Sequence, residues 1–316
     1  MCTALSWLNG RHYFGRNLDL ERGYGESVVI TPRCFPLSFR CAAAPEKHYA
    51  MIGMAAVSND YPLYFEATNE KGLSMAGLNF PGNAVYAPYA EGRDNIAPFE
   101  LIPWLLGQCD NITQAREKLA RINIVNISFS ESLPVSPLHW LIADRNESLT
   151  LECTAQGLRI YENPYGVLTN NPPFDFHLAN ISRYMGLNEG TGQNALAPGK
   201  PLQSDGLGFG AIGLPGDFSS VSRFVKAVFV KEKSICSTDE NASVHQFFHM
   251  LQAVAMPKGC VLTPGSEYEY TRYSCCCNTD TQTYCYNTYQ NMTIRQIDLH
   301  AADVDGDALT IHPMQE

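Results

Sequence analysis

Apolar and polar residues alternate along the first twenty positions, and the alternation turns back on itself at Asn9-Gly10. That dipeptide accepts the positive φ angles of a two-residue hairpin, so 3–8 and 12–16 are expected as paired strands. Further runs with strand character cover 27–31, 49–57 and 73–78. The period then lengthens. Residues 98–106 and 112–122 carry helical spacing, with Ile112, Ala115, Leu119 and Ile122 on one face. Strand patterns return at 138–143, 149–153, 158–161 and 166–168, followed by a helix over 174–187.

The longest irregular stretch, 188–218, is rich in Gly and Pro. Two apolar helices come next, one marked by Val221, Phe224, Val225 and Val228, the other by Val244, Phe247, Phe248, Leu251 and Val254. The tail alternates again through 268–275, 283–289 and 293–299. No repeat or low-complexity linker divides the chain, so 1–316 is expected to form one domain. Strand-to-strand turns outnumber strand–helix–strand crossovers. That balance points to an α+β architecture of sheets covered by helical layers, and away from a doubly wound parallel sheet.

Composition narrows the function classes. With 45% hydrophobic and 17% charged residues, the 316-residue chain has the make-up of a soluble globular protein. A formal charge of −10 and no basic stripe exclude a nucleic-acid partner. No apolar run approaches the roughly 18 residues of a membrane span. Arg11, Arg16 and Asp19 interrupt any secretion signal, so a cytoplasmic location and reduced thiols are expected for the 11 cysteines. Cys275-Cys276-Cys277 does not suit a metal, because neighbours on a strand point to opposite faces; buried thiols are expected there. Two other patterns are set aside. The GxGxxG match 208–213 has no strand before it and Pro215-Gly216 after it. His245 and His249 lack the glutamate of a zinc motif, and the flanking phenylalanines place the pair on a buried face.

Cys2 carries the chemistry. Removal of Met1 would give one residue both a thiol and an α-amine, and an amine with an ordinary pKa near ~7.7–8.0 can act as base to the thiol. The second hairpin strand returns Arg16 and Asp19 toward Cys2. An arginine favours thiolate, and an aspartate can orient an amine.

Met1-Cys2-Thr3-Ala4 with Phe14-Gly15-Arg16-Asn17-Leu18-Asp19 closely resembles the start of the choloylglycine hydrolases. These conjugated bile salt hydrolases are grouped with penicillin V acylases among the N-terminal nucleophile hydrolases. The resemblance continues through Asn69-Glu70-Lys71-Gly72-Leu73, Ala76-Gly77-Leu78-Asn79-Phe80-Pro81-Gly82 and Leu138-His139-Trp140. It extends to Gly166-Val167-Leu168-Thr169-Asn170-Asn171-Pro172, Gly213-Leu214-Pro215-Gly216-Asp217, Ser222-Arg223-Phe224 and Tyr286-Asn287-Thr288-Tyr289.

The resemblance implies a four-layer αββα sandwich of two antiparallel sheets covered by helices. It makes Cys2 the nucleophile and its freed amine the base, with Arg16 against the thiol and Asp19 orienting the amine. Asn79 and Asn170 would stabilise the oxyanion, with Asn171 as the neighbouring candidate should the register slip by one, and Arg223 would complete the cluster. The implied reaction is hydrolysis of glycine- or taurine-conjugated bile salts such as glycocholate and taurocholate, with no metal or cofactor. Leu18, Tyr24, Phe65, Phe129 and Leu133 are the implied pocket. Asn79 matches the bile-salt branch, since penicillin V acylases commonly carry tyrosine there. Gly206-Leu207-Gly208 resembles a loop linked to glycine conjugates, and 188–218 resembles a segment that builds a homotetramer. Penicillin V or N-acyl-homoserine-lactone acylase activity on the same machinery is the alternative, and a non-catalytic bile-acid-binding protein is the second.

Overall fold

A computed structural model describes residues 1–315. The chain opens with the hairpin β1 (Cys2–Asn9) and β2 (Arg11–Leu20), closed by Gly10 at φ +70°. A meander follows through β3 (Glu26–Thr31), β4 (Met51–Ser58), β5 (Tyr61–Asn69) and β6 (Ser74–Asn79). Next come β7 (Asp94–Ile96), α1 (Leu101–Leu106), α2 (Ile112–Leu119) and β8 (Ile122–Ile124), with β7 and β8 paired in parallel. Four more strands are β9 (Leu138–Ala143), β10 (Ser148–Thr154), β11 (Gly157–Glu162) and β12 (Val167–Leu168). Helices α3 (Phe174–Ile181), α4 (Ser220–Lys233) and α5 (Glu240–Gln252) precede β13 (Val261–Leu262), β14 (Tyr268–Asn278), β15 (Thr283–Thr288), β16 (Arg295–Asp298) and β17 (Thr310–Pro313).

Two antiparallel sheets organise these strands. One has seven strands in the order β12-β1-β2-β14-β15-β16, with β13 on β14. The other has eight, in the order β11-β10-β9-β6-β5-β4-β3-β17. Phe224, Val228, Val244, Phe247 and Leu251 of α4 and α5 pack on the seven-stranded sheet. Leu101, Trp104, Leu105, Ile112 and Leu119 of α1 and α2 cover the eight-stranded sheet against Met51, Met75, Ile142 and Leu149. Val28, Ile30, Met54, Leu78 and Leu141 join Cys2, Ala4 and Leu18 in the core between the sheets. The layers run helix, sheet, sheet, helix, the αββα sandwich implied by the sequence resemblance. Among the described residues no helix is long and apolar enough to cross a membrane.

Most expected elements are present, and the differences have local causes. The helix of 112–122 stops at Leu119, and Ile122 begins β8. The helix of 174–187 ends at Ile181 and tightens to a 3-10 turn over Ser182–Tyr184. Strand β5 has no counterpart among the strands expected from the sequence because its alternation is broken by an extra residue: Met54 pairs with Glu66 and Ala55 with Tyr64, leaving Phe65 outside the ladder. His245 and His249 correct another expectation. They are exposed, while Val244, Phe247 and Phe248 take the buried face of α5. Cys275, Cys276 and Cys277 are buried in β14, and all 11 cysteines are free.

Candidate active site

Strand pairing sets the faces of the site. Cys2 lies opposite Leu18, Thr3 opposite Asn17, and Ala4 opposite Arg16. Directly paired residues share a sheet face and the faces alternate along each strand. Cys2, Arg16 and Leu18 therefore turn toward the eight-stranded sheet, while Thr3, Asn17 and Asp19 turn toward α4 and α5. Asn17 Nδ2 accordingly reaches Leu251 O at 2.9 Å.

Arg16 is fully buried and occupies a fork in the facing sheet. Strands β5 and β6 pair as far as Glu66 and Ala76, and the ladder goes no further. Beyond that point Arg16 Nη1 donates to Phe65 O at 3.0 Å and Gly77 O at 2.6 Å. The bulge frees the first carbonyl and the end of the ladder frees the second. Arg16 Nη2 is buried and has no hydrogen-bond partner among the described residues. Burial opposes the charge of Arg16, but its interactions with Cys2, Tyr273, Glu66 and Cys275 outweigh that, so its pKa lies above the ordinary arginine value.

On the opposite face, Arg223 from α4 donates from Nε to Phe218 O at 3.0 Å. Its Nη1 donates to Cys2 O at 2.5 Å and Thr3 Oγ1 at 2.7 Å, and its Nη2 to Asn170 Oδ1 at 2.7 Å. The same Oδ1 accepts the Cys2 N–H at 2.8 Å, and Asn170 Nδ2 donates to Asn79 O at 2.6 Å. Burial lowers the Arg223 pKa, against the opposing pull of Asp19 and Cys2. Of the adjacent asparagines it is Asn170 that meets Cys2; Asn171 Nδ2 turns to Pro81 O at 2.7 Å. The Asn79 carboxamide is half-buried and engages no described side chain or backbone group, so it is open to a ligand.

Asp19 is bound at Oδ1 by Thr271 Oγ1, 2.6 Å away, whereas Oδ2 is buried without a hydrogen-bond partner among the described residues. A bulge in β14 between Thr271 and Tyr273 makes this contact compatible with Tyr273 facing the other way beside Leu18. Met1 lies alongside: its ammonium donates to Asp19 O at 2.8 Å and pairs with Glu269. Burial lowers the pKa of that amine; Cys2 and Asp19 oppose the shift, and Arg223 and Arg16 add to it. With Met1 in place Cys2 is only 2% exposed.

Several supporting residues were not singled out from the sequence. His139 Nδ1 lies 3.0 Å from Glu152 Oε1 and its Nε2 lies 3.0 Å from Thr169 O, while Phe80 stacks on the ring at 4.2 Å. Glu152 also receives the Phe174 N–H at the start of α3, and Ser220 Oγ accepts the Asn170 N–H at 2.8 Å. This brace joins the segments carrying Asn79 and Asn170. Glu152 and Glu66 are charges among apolar neighbours in the sequence, and a buried ionisable residue is rare unless paired. Alternation alone does not say which of them faces a partner.

Of the expected pocket residues, Leu18 is the cross-strand neighbour of Cys2, and Tyr24 packs on Phe65 with ring centroids 6.5 Å apart. Phe129 packs with Phe99 at 5.3 Å and Tyr61 at 5.9 Å, and Leu133 closes a turn with Ser130. Two surface cavities of about 370 and 410 Å³ lie elsewhere, beside Ser6 and His12 and along α5. Neither is lined by Cys2, and the convergence of buried charges marks the chemistry more directly than cavity size.

Comparison with known proteins identifies the family and the fold. Residues 2–312 match the family of linear amide C–N hydrolases, choloylglycine hydrolase family. A bile salt hydrolase/transferase of Lactiplantibacillus plantarum is 49% identical over 316 residues, 100% of this chain and 97% of the relative. The structure of a conjugated bile acid hydrolase variant from Clostridium perfringens superposes with a TM-score of 0.92 at 34% identity, covering 100% of this chain and 97% of the other. Penicillin V acylase from Agrobacterium tumefaciens shares the fold, with a TM-score of 0.77 at 19% identity over 98% of this chain and 90% of the other.

Proposed function

The chain belongs to the choloylglycine hydrolase family of linear amide C–N hydrolases, and we propose that it performs that chemistry through Cys2 once Met1 is removed. It hydrolyses the amide bond of conjugated bile salts and releases the free bile acid with glycine or taurine. The observation that carries the mechanism is the polar cage already closed around the Cys2 nitrogen. Asn170 Oδ1 accepts its hydrogen, Arg223 fixes Cys2 O, and the unpartnered Asp19 Oδ2 stands ready beside the chain terminus. Freed as an amine, this nitrogen takes the thiol proton; burial and two nearby arginines keep such an amine neutral.

The thiolate attacks the carbonyl carbon, and the tetrahedral oxyanion is held by Asn79 and Asn170. Asn79 has an unengaged carboxamide, and Asn170 contributes Nδ2 by exchanging its bond to Asn79 O. One such donor is worth roughly 10²–10³ in rate. The amine returns the proton to the leaving amino acid, and water then cleaves the thioester. Transfer of the acyl group to an amine instead of water would follow from the same thioester, as the word transferase in the name of the Lactiplantibacillus plantarum relative suggests. Leu18, Tyr24, Phe65, Phe129 and Leu133 are proposed to receive the apolar steroid. The exposed side chains of Met185, Leu196, Leu207 and Ile212 in and beside 188–218 support assembly into a homotetramer through that segment. The 11 free cysteines support a reducing, cytoplasmic setting.

Amino-acid release from glycocholate and taurocholate, with penicillin V as competitor, tests the assignment. Cys2→Ala should abolish turnover without loss of fold, and active protein should lack Met1 by intact mass. Wild-type turnover by Cys2→Ala would overturn the mechanism; preferential cleavage of penicillin V would move the substrate.

A further inference from the structure

Beneath Arg16 lies a second buried cluster to which the reaction assigns nothing. Glu66 is 2% exposed and neighbours the guanidinium, with Oε2 3.8 Å from Arg16 Nη1. That separation is too long for a hydrogen bond, although both groups are buried in the core. Two tyrosines explain the gap. Tyr273 Oη donates to Glu66 Oε2 at 2.8 Å and Tyr284 Oη donates to Oε1 at 2.6 Å. Both rings are essentially unexposed, and they reach Glu66 from β14 and β15, across the gap between the sheets.

We infer that Glu66 is a positioning residue for Arg16, and that the Tyr273 hydroxyl keeps the carboxylate from capturing the guanidinium. With Oε2 occupied, Glu66 offsets the buried charge of Arg16 without bonding to it. Arg16 is then anchored through Nη1 on Phe65 O and Gly77 O, which leaves Nη2 unpartnered and available to the Cys2 thiolate. A direct bidentate Arg–carboxylate pair is the stronger arrangement for these two groups. Removing the tyrosine hydroxyl should therefore draw the guanidinium toward Glu66 and away from sulfur.

This inference rests on Cys2 being the nucleophile, and its test separates the two. The charged groups around Cys2 are Arg16 on its own face of the sheet and Asp19 from β2, Arg223 from α4 and the chain terminus on the other; Glu66 from β5 and Tyr273 and Cys275 from β14 act through Arg16. Iodoacetamide alkylation of Cys2 is followed over a pH series in the methionine-free enzyme, by mass of the N-terminal peptide and by residual amino-acid release. Tyr273→Phe should raise the alkylation midpoint by about half a unit, or roughly threefold slower reaction below it. Tyr284→Phe removes the donor on the far oxygen and should move the midpoint less, although it deletes the same group from the same core. Glu66→Gln keeps the shape, removes the offsetting charge and should lower the midpoint; it serves alone if Tyr273→Phe fails to fold. An unmoved midpoint in folded Tyr273→Phe, equal shifts in both tyrosine variants, or no downward shift in Glu66→Gln would overturn the inference. Alkylated Cys2 with undiminished turnover would instead overturn the nucleophile assignment.

Discussion

Replacing Asn170 with alanine removes one carboxamide that serves three partners. Arg223 Nη2 and the Cys2 nitrogen both donate to its Oδ1, at 2.7 and 2.8 Å, and its Nδ2 donates to Asn79 O at 2.6 Å. Losing an acceptor from a buried charged donor costs about 1.5–3 kcal/mol, and a neutral partner about 1 kcal/mol. Asn79 is half-buried and can recover hydration, so the structural loss should settle near 3 kcal/mol. The catalytic loss is separate. Removing one oxyanion donor lowers kcat by roughly 10²–10³, and the α-amine that serves as base loses its anchor as well. Asn79→Ala supplies the contrast, because its side chain holds no other described group: a similar fall in kcat with stability changed by less than about 0.5 kcal/mol. Urea denaturation gives the first quantity and steady-state amino-acid release the second. Asn170→Ala retaining kcat within about threefold of wild type, or losing under about 1 kcal/mol, would refute the reading of Asn170 as the hub of the site.

Three other expectations follow from particular contacts. A Cβ on Gly15 would lie 1.9 Å from Cys275 O, so Gly15→Ala should cost about 3 kcal/mol or more by thermal unfolding, while Gly186→Ala, with open space around it, should be nearly neutral. Burial pushes His12 and His177 from an ordinary value near 6.5 down to about 4. Between those values the unfolded chain takes up protons that the folded chain refuses, so stability should fall by about 3 kcal/mol per histidine as pH drops from 6.5 to 4, then level off; denaturation midpoints across that window check it, and His12→Gln should flatten the slope. Glu152→Gln weakens the brace on His139 and Phe174, and should lower kcat about tenfold with little change in KM.

Local pattern carried the hairpin of β1 and β2, because Asn9-Gly10 fixes the turn and the turn fixes the register that sets Arg16 two residues from Leu18, the partner of Cys2. The helices over Ser220–Lys233 and Glu240–Gln252 were equally plain, since each buries one continuous apolar face. Strand β5 was hidden for a physical reason. Its bulge at Phe65 breaks the alternation, and that same irregularity releases the carbonyl that anchors Arg16. His245 and His249 were placed wrongly because flanking phenylalanines suggest burial without saying which side of α5 they share. The six central residues of the site stood out as motifs. Their supports did not: Thr271, Ser220, Glu66 and Tyr273 act across 50 to 252 positions of sequence or through the opposite sheet, a relation that no window along the chain contains.

Arg16 belongs by sequence to one sheet and is anchored in the other. Cys2 likewise rides on the seven-stranded sheet, whereas Asn79 ends a strand of the eight-stranded one. Each sheet alone holds an incomplete set of groups, so turnover counts molecules whose two sheets are docked in register. A compact state that keeps both sheets but lets them slip, as a molten globule does, would retain its backbone signature and be catalytically silent. Activity built on these residues would thus be a readout of interlayer docking, lost whenever the sheets separate.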